Sequence, residues 1–436
     1  MVNQQEDKLD SWQEIADHLK RQVRTVSRWE RERGLPVHRV PGGKRGAVYA
    51  YRSEVDAWLR TTAGLPVAES PPVGPNSSTL WRAAGIWLAG LGIVILGLLF
   101  ALRLARSPNP QQATLVGAEL TALDGAGRAI WRYRFPEPVQ PTDVPMFDPN
   151  QNTQIHLEDL NGDGKNEVLV AAAYNRHSET NHDELYCFAS GGRLLWRYQP
   201  HAEFNFVGRK ASGPWKLHSL TVVPEDGKKV VWAAFTDPVF APAIVASIDA
   251  DGRSGIRYIS SGNVNALIGL ANKKGTFILA GGVNNEYRAA SLAVLSSRQP
   301  QAASPQTPGN RFQCTTCPSG RPLLFVVLPR SEVNVGSGKP YNWVNFLERR
   351  AGGILVSVLE LEEPGVDVRQ YFELSDDLTP KNASFGAGYR EAHERLEKRG
   401  LIAHKWADCQ EQKHPAIARA WDEARGWREI QIPWVH

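Results

Sequence analysis

The chain of 436 residues is long enough for about two or three domains. With 42% hydrophobic and 22% charged residues, its composition is ordinary for a folded protein. The net charge of +4 is too small to indicate a partner by itself, so only the distribution of charge along the chain is informative.

The N-terminal segment predicts two short helices separated by a tight turn. Ser11 and Glu14 have the spacing of a capping box, and apolar residues on one face predict a first helix over 11–19. A second helix follows the turn at 20–22, and Gly34 is expected to end it. Tryptophans 12, 29 and 58 fall on the inner faces and are predicted to belong to the core.

Basic residues are concentrated between Lys20 and Arg52. Ten Lys or Arg residues stand against two Glu residues there, a local net charge of +8 that suits a polyanionic partner. The outer face of the second helix and the turn "PGGKRG" of a following β-hairpin carry the candidate DNA contacts: Arg24, Thr25, Arg28, Arg31, Lys44 and Arg45. Arginine can fork onto guanine edges or onto phosphates.

The motifs "EIADHL", "RTVSRWE" and "KRG" before "SEVDAWL" carry a family resemblance. Residues 1–62 resemble the winged helix-turn-helix of the MerR and excisionase groups. The resemblance implies a small α+β DNA-binding domain, and such DNA readers are expected to act as homodimers on paired half-sites. The alternative is a small helical adaptor that binds a protein instead of DNA.

A linker and an apolar run follow this domain. Residues 63–80 contain four prolines and predict a flexible linker, and the uncharged residues from Ala83 to Leu102 predict a transmembrane helix over 81–105. Positive charges balance on the two sides, so the DNA interpretation decides the orientation. We expect a single-pass protein of the bacterial inner (cytoplasmic) membrane, with its N-terminus in the cytoplasm and the residues from 106 onward outside.

Internal repeats organise residues 106–385. The segments "ELTALDGAGRAIWRYRF", "ELYCFASGGRLLWRYQP" and "IVASIDADGRSGIRYIS" align without gaps, and each predicts a hairpin around a Gly turn. A second kind of hairpin alternates with them, starting at Glu158, Val223 and Leu270. Four strands in every 50 to 65 residues is the size of a propeller blade, so we expect a β-propeller of about five blades. An open pair of β-sandwiches is the alternative.

The sharpest site motif lies in the loop "DLNGDGKNE", where oxygen ligands recur at alternate positions. The candidate calcium ligands are Asp159, Asn161, Asp163, the carbonyl of Lys165, and Glu167. The spacing, followed by a strand, resembles the FG-GAP or VCBS repeat of integrin-like propellers, and the tryptophan-bearing hairpins look like quinoprotein blades. The resemblance implies a propeller with one structural Ca²⁺. The alternative is an Asx-rich turn without metal.

Four cysteines lie beyond the apolar run. Cys314 and Cys317 form "CTTC", which could be a disulfide, half of a zinc site or a redox pair. No second CxxC or HxxxH completes a zinc site, and the expected location outside the cytoplasm favours a loop disulfide, which we predict. Cys187 and Cys409 are left either paired or buried and reduced. Residues 386–436 predict two amphipathic helices packed on the propeller.

No catalytic motif is complete. "GSGKP" at 336–340 lacks the first Gly and the Ser/Thr of a P-loop, and neither G-x-S-x-G nor H-E-x-x-H occurs, so we do not expect an enzyme. The predicted function is a membrane-anchored transcriptional regulator. It would couple an extracytoplasmic propeller, binding an unknown ligand or protein, to a cytoplasmic DNA-binding domain. The alternative is a membrane-anchored adhesion or scaffold protein whose N-terminal domain binds protein.

Overall fold

The structure is a computed structural model that describes residues 7–39, 48–63, 108–140, 154–173, 183–239, 241–363 and 366–435. The chain divides into two compact units, Met1–Leu98 and Leu99–His436. Each unit has its own hydrophobic core, and each is described by itself.

The first unit combines three helices with a small sheet. Its elements are β1 (Lys8–Leu9), α1 (Trp12–His18), α2 (Val23–Arg33), β2 (His38–Arg39), β3 (Val48–Tyr51) and α3 (Arg52–Ala63). The strand β3 is central, and it pairs antiparallel with β1 and β2. The sequence did not indicate β1, because two residues are too few for a periodic pattern.

Capping fixes the ends of the helices in the first unit. Ser11 Oγ accepts the N–H of Glu14 at 3.2 Å, and the Glu14 carboxylate accepts the N–H of Asp10 at 2.9 Å. Gly34 ends α2 in the left-handed conformation, with φ at +63°, and its N–H donates to the carbonyl of Trp29. Both helices therefore begin and end within about one residue of the predicted bounds.

Hairpins between consecutive strands build the sheets of the second unit. The first sheet contains β4 (Gln112–Val116), β5 (Glu119–Leu123) and β6 (Ala129–Arg134), and the second contains β7 (Ile155–Glu158), β8 (Glu167–Ala173), β9 (Asp183–Phe188) and β10 (Leu194–Tyr198). A separate two-stranded hairpin consists of β11 (Phe204–Phe206) and β12 (Arg209–Ala211). All these pairings are antiparallel.

Three further sheets follow, with five, six and four strands. The third contains β13 (Lys216–Glu225), β14 (Lys228–Thr236), β15 (Ala243–Ile248), β16 (Ser254–Ser260) and β20 (Ala302–Ala303). The fourth contains β17 (Val264–Asn272), β18 (Gly275–Asn284), β19 (Ala289–Ser296), β21 (Leu324–Val327), β26 (Ala416–Asp422) and β27 (Gly426–Ile432). The fifth contains β22 (Trp343–Arg350), β23 (Gly353–Glu363), β24 (Val366–Ser375) and β25 (Pro380–Phe385). The helices of this unit are α4 (Glu332–Gly336), α5 (Tyr389–Lys398) and α6 (Gln410–Lys413), with a 3₁₀ turn at Trp406–Asp408.

Adjacent sheets of the second unit pack through their first strands, β13 against β17 and β17 against β22. Two glycines allow the close approach. A Cβ added at Gly269 would lie 2.2 Å from Val223 Cγ1, and one added at Gly281 would lie 2.5 Å from Val344 Cγ1. Side chains at either position would separate the sheets and open the core between them.

The three repeated segments form the hairpins β5–β6, β9–β10 and β15–β16, as predicted. Trp131 and Trp196 occupy equivalent places in the first two. Each indole N–H donates to a carbonyl in the turn of the next repeat, at 2.8 and 3.2 Å. The shared glycine of that next turn, Gly192 or Gly252, has φ above +80° and lies against the indole, where a Cβ would clash at 2.8 Å. The glycine turn and its contact with the tryptophan of the preceding repeat therefore recur together along this chain.

The predicted fold class is nevertheless wrong. The described chain is mostly β, with seven sheets and only short helices. The sheets are not the equal four-stranded blades of the predicted propeller, since they hold from two to six strands. The strands β20, β21, β26 and β27 return to extend sheets that began earlier in the chain, which a blade-by-blade interpretation of the repeats does not anticipate.

The predicted pair of C-terminal helices needs a specific correction. The first corresponds to α5, but "HPAIARAWDEARGW" forms the hairpin of β26 and β27. Burial alternates along β26, where Ala416, Ala418 and Ala420 face the core and Ile417 is exposed. Alanine and arginine favour helices locally, but pairing of β26 with β21 in the fourth sheet outweighs that preference.

The predicted transmembrane helix at 81–105 lies outside the described residues, as do residues 64–80 of the predicted linker. Within the described ranges, no helix combines the length and apolar character needed to cross a bilayer. The single-pass membrane anchor and the inner-membrane localisation are corrected accordingly, since the structure does not support them.

Candidate functional site

The helix α2 presents its basic side chains to solvent. Arg24, Arg28 and Arg31 are exposed, and Thr25 is half-buried. Val26, on the opposite side of the helix, is completely buried in the core of the first unit. The structure therefore brings the helical members of the predicted DNA-contacting set onto one accessible surface.

Two of the nearby arginines share their charge with acidic side chains. Arg28 lies 3.8 Å from Glu32, and Arg39 lies 2.9 Å from Glu30. The first pair is well exposed on both sides, so it is weak and can open toward another anion. Arg24 and Arg31 have no ion-pair partner among the residues that the structure describes.

Aromatic packing holds α2 in place. The rings of Trp29 and Trp58 lie 5.9 Å apart, and the Trp58 indole N–H donates to the carbonyl of Arg33 at 3.0 Å. This bond ties the last turn of α2 to α3.

The hairpin formed by β2 and β3 flanks the remaining two candidate DNA contacts. Lys44 and Arg45 fall within residues 40–47, which lie outside the described residues. On β2, His38 bonds to Glu54 of α3 at 2.7 Å and stacks on Tyr49 with ring centroids 5.2 Å apart. These contacts tie the described part of the hairpin to α3.

The loop between β7 and β8, predicted to bind calcium, is closed by hydrogen bonds from its own backbone. The Asp159 carboxylate accepts the N–H groups of Gly162, Asp163 and Gly164 at 2.8 to 3.1 Å. Asn161 accepts the N–H of Asp163 at 2.8 Å. These are the side-chain-to-backbone bonds of Asx turns, which form with or without a metal ion.

The last predicted ligand of this loop is turned inward. Glu167 is buried, and it accepts the N–H of Leu160 at 3.0 Å and the side-chain amide of Asn161 at 3.1 Å. Burial raises the pKa of its carboxyl group.

Calcium requires several oxygens that converge on one point, and in this loop the side-chain oxygens of Asp159, Asn161 and Asp163 accept backbone N–H groups. The N–H of Lys165, whose carbonyl was the fourth expected ligand, is bonded to Asp163. Calcium binding by this loop stays a prediction.

Cys314 and Cys317 are joined by a disulfide with Cα atoms 5.5 Å apart. The bridged loop docks on the hairpin β11–β12, where the N–H of Thr315 donates to the carbonyl of Asn205 at 2.7 Å. The bridge therefore stabilises a loop contact and leaves neither sulfur available as a metal ligand. Cys187 and Cys409 are unpaired and buried.

Four side chains that the sequence did not connect meet in the second unit: Glu332, His393, His404 and Cys409. Their ligand atoms all lie within 4.8 Å of one another, which holds for no other group of three or more such residues in the described chain. The two histidines are 11 residues apart, and Cys409 is 77 residues from Glu332. Such spacing matches no local metal motif, so no sequence signal could have identified the group.

No family model matches the chain, and no curated protein sequence matches it. Among solved structures, it is similar to a GH43 β-xylosidase/α-arabinofuranosidase from a compost microbial metagenome (TM-score 0.28, 10% identity, covering 56% of this chain and 80% of that chain). It is also similar to two mutants of the Synechocystis apocarotenoid oxygenase. One has a TM-score of 0.26 at 8% identity over 72% of this chain and 66% of that chain; the other has 0.23 at 9% over 63% and 73%. These likenesses are too remote to bear on the function of this chain.

Proposed function

We propose that the first unit binds double-stranded DNA and that the protein is a DNA-binding transcriptional regulator. The observation that carries the proposal is the basic surface of α2, where Arg24, Arg28 and Arg31 are exposed while Val26 anchors the helix to the core. In this proposal the larger β unit binds the ligand or protein to which the regulator responds.

The dimensions of α2 suit the major groove of DNA. A helix with its side chains is about 10–12 Å in diameter, and the major groove is about 12 Å wide. Arg24 and Arg28 are four residues apart, so they project from the same side of the helix and can reach neighbouring positions on one duplex. Each guanidinium can bind two acceptors of a guanine or of a phosphate.

Different residues of the surface are proposed to do different work. Arg24, Thr25 and Arg28, in the first half of α2, are placed to reach base edges. Arg31, together with Lys44 and Arg45, is proposed to bind phosphates, which supplies affinity without sequence preference. Two copies of the chain would then be expected on paired half-sites.

The test is the affinity of the full chain for genomic duplex fragments over a range of salt concentrations. We expect a steep fall of log affinity with log salt, since each phosphate contact contributes about 0.9 to the slope. Arg24→Ala and Arg28→Ala should each weaken binding to the preferred fragments by about 1–3 kcal/mol if the side chain contacts a base edge. Arg60→Ala, which removes an equal charge from α3, is the matched control and should have a smaller effect.

Salt-insensitive or absent DNA binding would contradict this function. It would favour the alternative of an adaptor unit that binds protein. Equal losses for Arg24→Ala, Arg28→Ala and Arg60→Ala would also count against a specific role of α2, because they would show only an effect of net charge.

A further inference from the structure

The four side chains Glu332, His393, His404 and Cys409, hereafter the EHHC cluster, surround a common point. His393 Nε2 lies 3.0 Å from Glu332 Oε1 and 3.4 Å from His404 Nε2. His404 Nε2 lies 3.2 Å from Glu332 Oε2, and Cys409 Sγ lies 2.7 Å from Glu332 Oε1. Two nitrogens, one sulfur and a carboxylate thus point at each other from three segments of chain.

The backbone of the fold holds each member in place. Glu332 is the first residue of α4, which Ser331 caps by accepting the N–H of Asn334. His393 lies in the middle of α5 and is fully buried, whereas His404 follows that helix and is about one-third exposed. Cys409, fully buried, lies between the 3₁₀ turn and α6. The members therefore come from α4, from α5 and from the irregular segment that follows α5.

Further hydrogen bonds orient Glu332. Its N–H donates to Glu411 Oε1 at 2.7 Å, and the other carboxylate oxygen of Glu411 accepts the Tyr389 hydroxyl at 2.6 Å. Glu360 accepts both the N–H and the hydroxyl of Ser331 from the other side. These bonds fix the backbone at the start of α4, from which the Glu332 side chain reaches the cluster.

The surroundings of the cluster are apolar. The Trp406 ring packs edge-on against His393 with centroids 5.1 Å apart, and Leu396, Ile402 and Tyr389 belong to the same buried core. His393 Nδ1 is buried and has no hydrogen-bond partner among the described residues. With the imidazole proton on Nδ1, the lone pair of Nε2 points at the cluster.

Without a metal ion, the two imidazole N–H groups and the thiol can all donate to the Glu332 carboxylate, at 3.0, 3.2 and 2.7 Å. That arrangement holds the two Nε2 atoms 3.4 Å apart and makes Glu332 Oε1 accept twice. A cation at the centre would instead take one lone pair from each of the four side chains. For zinc–nitrogen bonds of about 2.0–2.1 Å, the edge of a tetrahedron is about 3.3 Å. The nitrogen–nitrogen separation of 3.4 Å matches that edge, and the two nitrogens lie 3.0 and 3.2 Å from the two different oxygens of Glu332. The Cys409 Sγ–Glu332 Oε1 separation of 2.7 Å is shorter than the edge of about 3.5 Å between a zinc-bound sulfur and oxygen, so these two atoms must move apart when the ion binds.

We propose that the EHHC cluster binds one Zn²⁺. The donor set decides the metal: two imidazoles and a thiolate suit zinc, whereas calcium and magnesium require oxygen ligands throughout. Four protein ligands fill a tetrahedral zinc, leaving no open position for a substrate. The ion is therefore structural, and it ties residues 399–409 to α4 and α5.

The test uses the purified full chain, stripped with a chelator under anaerobic conditions and reloaded with zinc or with cobalt. We expect one zinc per chain by elemental analysis. Cobalt, which takes the same geometry, should show a near-ultraviolet charge-transfer band from the Cys409 thiolate. Cys409→Ser should remove that band.

Two further variants keep the test decisive. His404→Gln changes the most exposed histidine of the pair, so it should fold, and we expect zinc affinity to fall by roughly a hundredfold or more, since even loss of an outer partner costs 10–100-fold. Cys187→Ser alters the other buried free cysteine, in the core around the second and third sheets, and should bind zinc and cobalt like the wild type. Absence of stoichiometric zinc in the wild type, or unchanged binding in both His404→Gln and Cys409→Ser, would overturn the proposal.

Discussion

The basic surface of α2 and the EHHC cluster are built in opposite ways. The α2 residues fall within one helix, from Arg24 to Arg31, and a helical repeat alone places them on a common face. The cluster takes Glu332 from one helix, His393 from another, and two ligands from a loop beyond it. The first site is visible in the sequence because its geometry is local, whereas the second exists only once the second unit has folded.

The loop at 159–167, like the α2 surface, is built from residues that are close together in the sequence. In this loop the Asp159 carboxylate accepts three backbone N–H groups, and Glu167 is buried. The spacing of these residues therefore forms the expected turn, and calcium binding by that turn stays a prediction. The EHHC cluster shows the converse, with converging ligands and no recognisable spacing.

The largest effect that separates the two units should come from zinc. A ligand at a concentration 1,000 times its Kd stabilises the folded state by about 4 kcal/mol. We expect zinc at that excess to raise the free energy of unfolding of the second unit by this amount, and to leave the first unit unchanged. Denaturant unfolding with and without zinc measures the effect. His404→Gln should remove most of this gain in stability. An equal gain in that variant would show that zinc stabilises the second unit from a site other than the EHHC cluster.

A second prediction concerns Glu360, which supports the cluster through Ser331. Burial raises the pKa of its carboxyl group from the ordinary 4.5 to about 7. The unfolded chain then loses this proton first as pH rises, so folding stability falls between about pH 4.5 and pH 7. Glu360→Gln should flatten this fall by about 3 kcal/mol, given 1.36 kcal/mol for each pKa unit. Urea titrations across that pH range, with zinc held constant, provide the measurement. A variant with the wild-type slope would show that Glu360 is already ionised in the folded chain.

The parts of the fold that were predicted from sequence are those set by neighbours in the chain. The capping box at Ser11, the Gly34 stop and the glycine turns of the repeats each depend on a few adjacent residues. The errors arose where distant segments decide the structure. Residues 416–432 have helix-favouring composition, yet they become β26 and β27 because β21 offers an edge to pair with. For the same reason the EHHC cluster could not be anticipated.

A smaller effect is expected at the N-terminus of α1. Ser11→Ala removes the acceptor for the Glu14 N–H and should destabilise the first unit by about 1 kcal/mol. Gln13→Ala, an exposed change on the same helix, should stay within about 0.5 kcal/mol. Thermal unfolding followed by circular dichroism compares the two. If both variants unfold at the same temperature, the hydrogen bond between Ser11 and the Glu14 N–H does not contribute measurably to the stability of the first unit.

The smallest effect is expected from calcium. Because the amides of the 159–167 loop already satisfy Asp159, we expect calcium to stabilise the second unit by about 1 kcal/mol or less, well below the gain from zinc. Asp163→Asn should remove the calcium effect and leave the zinc effect intact. A calcium gain that equals the zinc gain would show that the loop rearranges into a strong site.

The central claim is that α2 reads DNA, and selection from a pool of random duplexes tests it most directly. The full-length wild-type chain and the double variant Arg24→Ala/Arg28→Ala are each used to enrich bound duplexes, which are then sequenced. We expect the wild type to enrich a shared motif and the double variant to lose it. Recovery of no motif by the wild type, or of the same motif by both proteins, would contradict it.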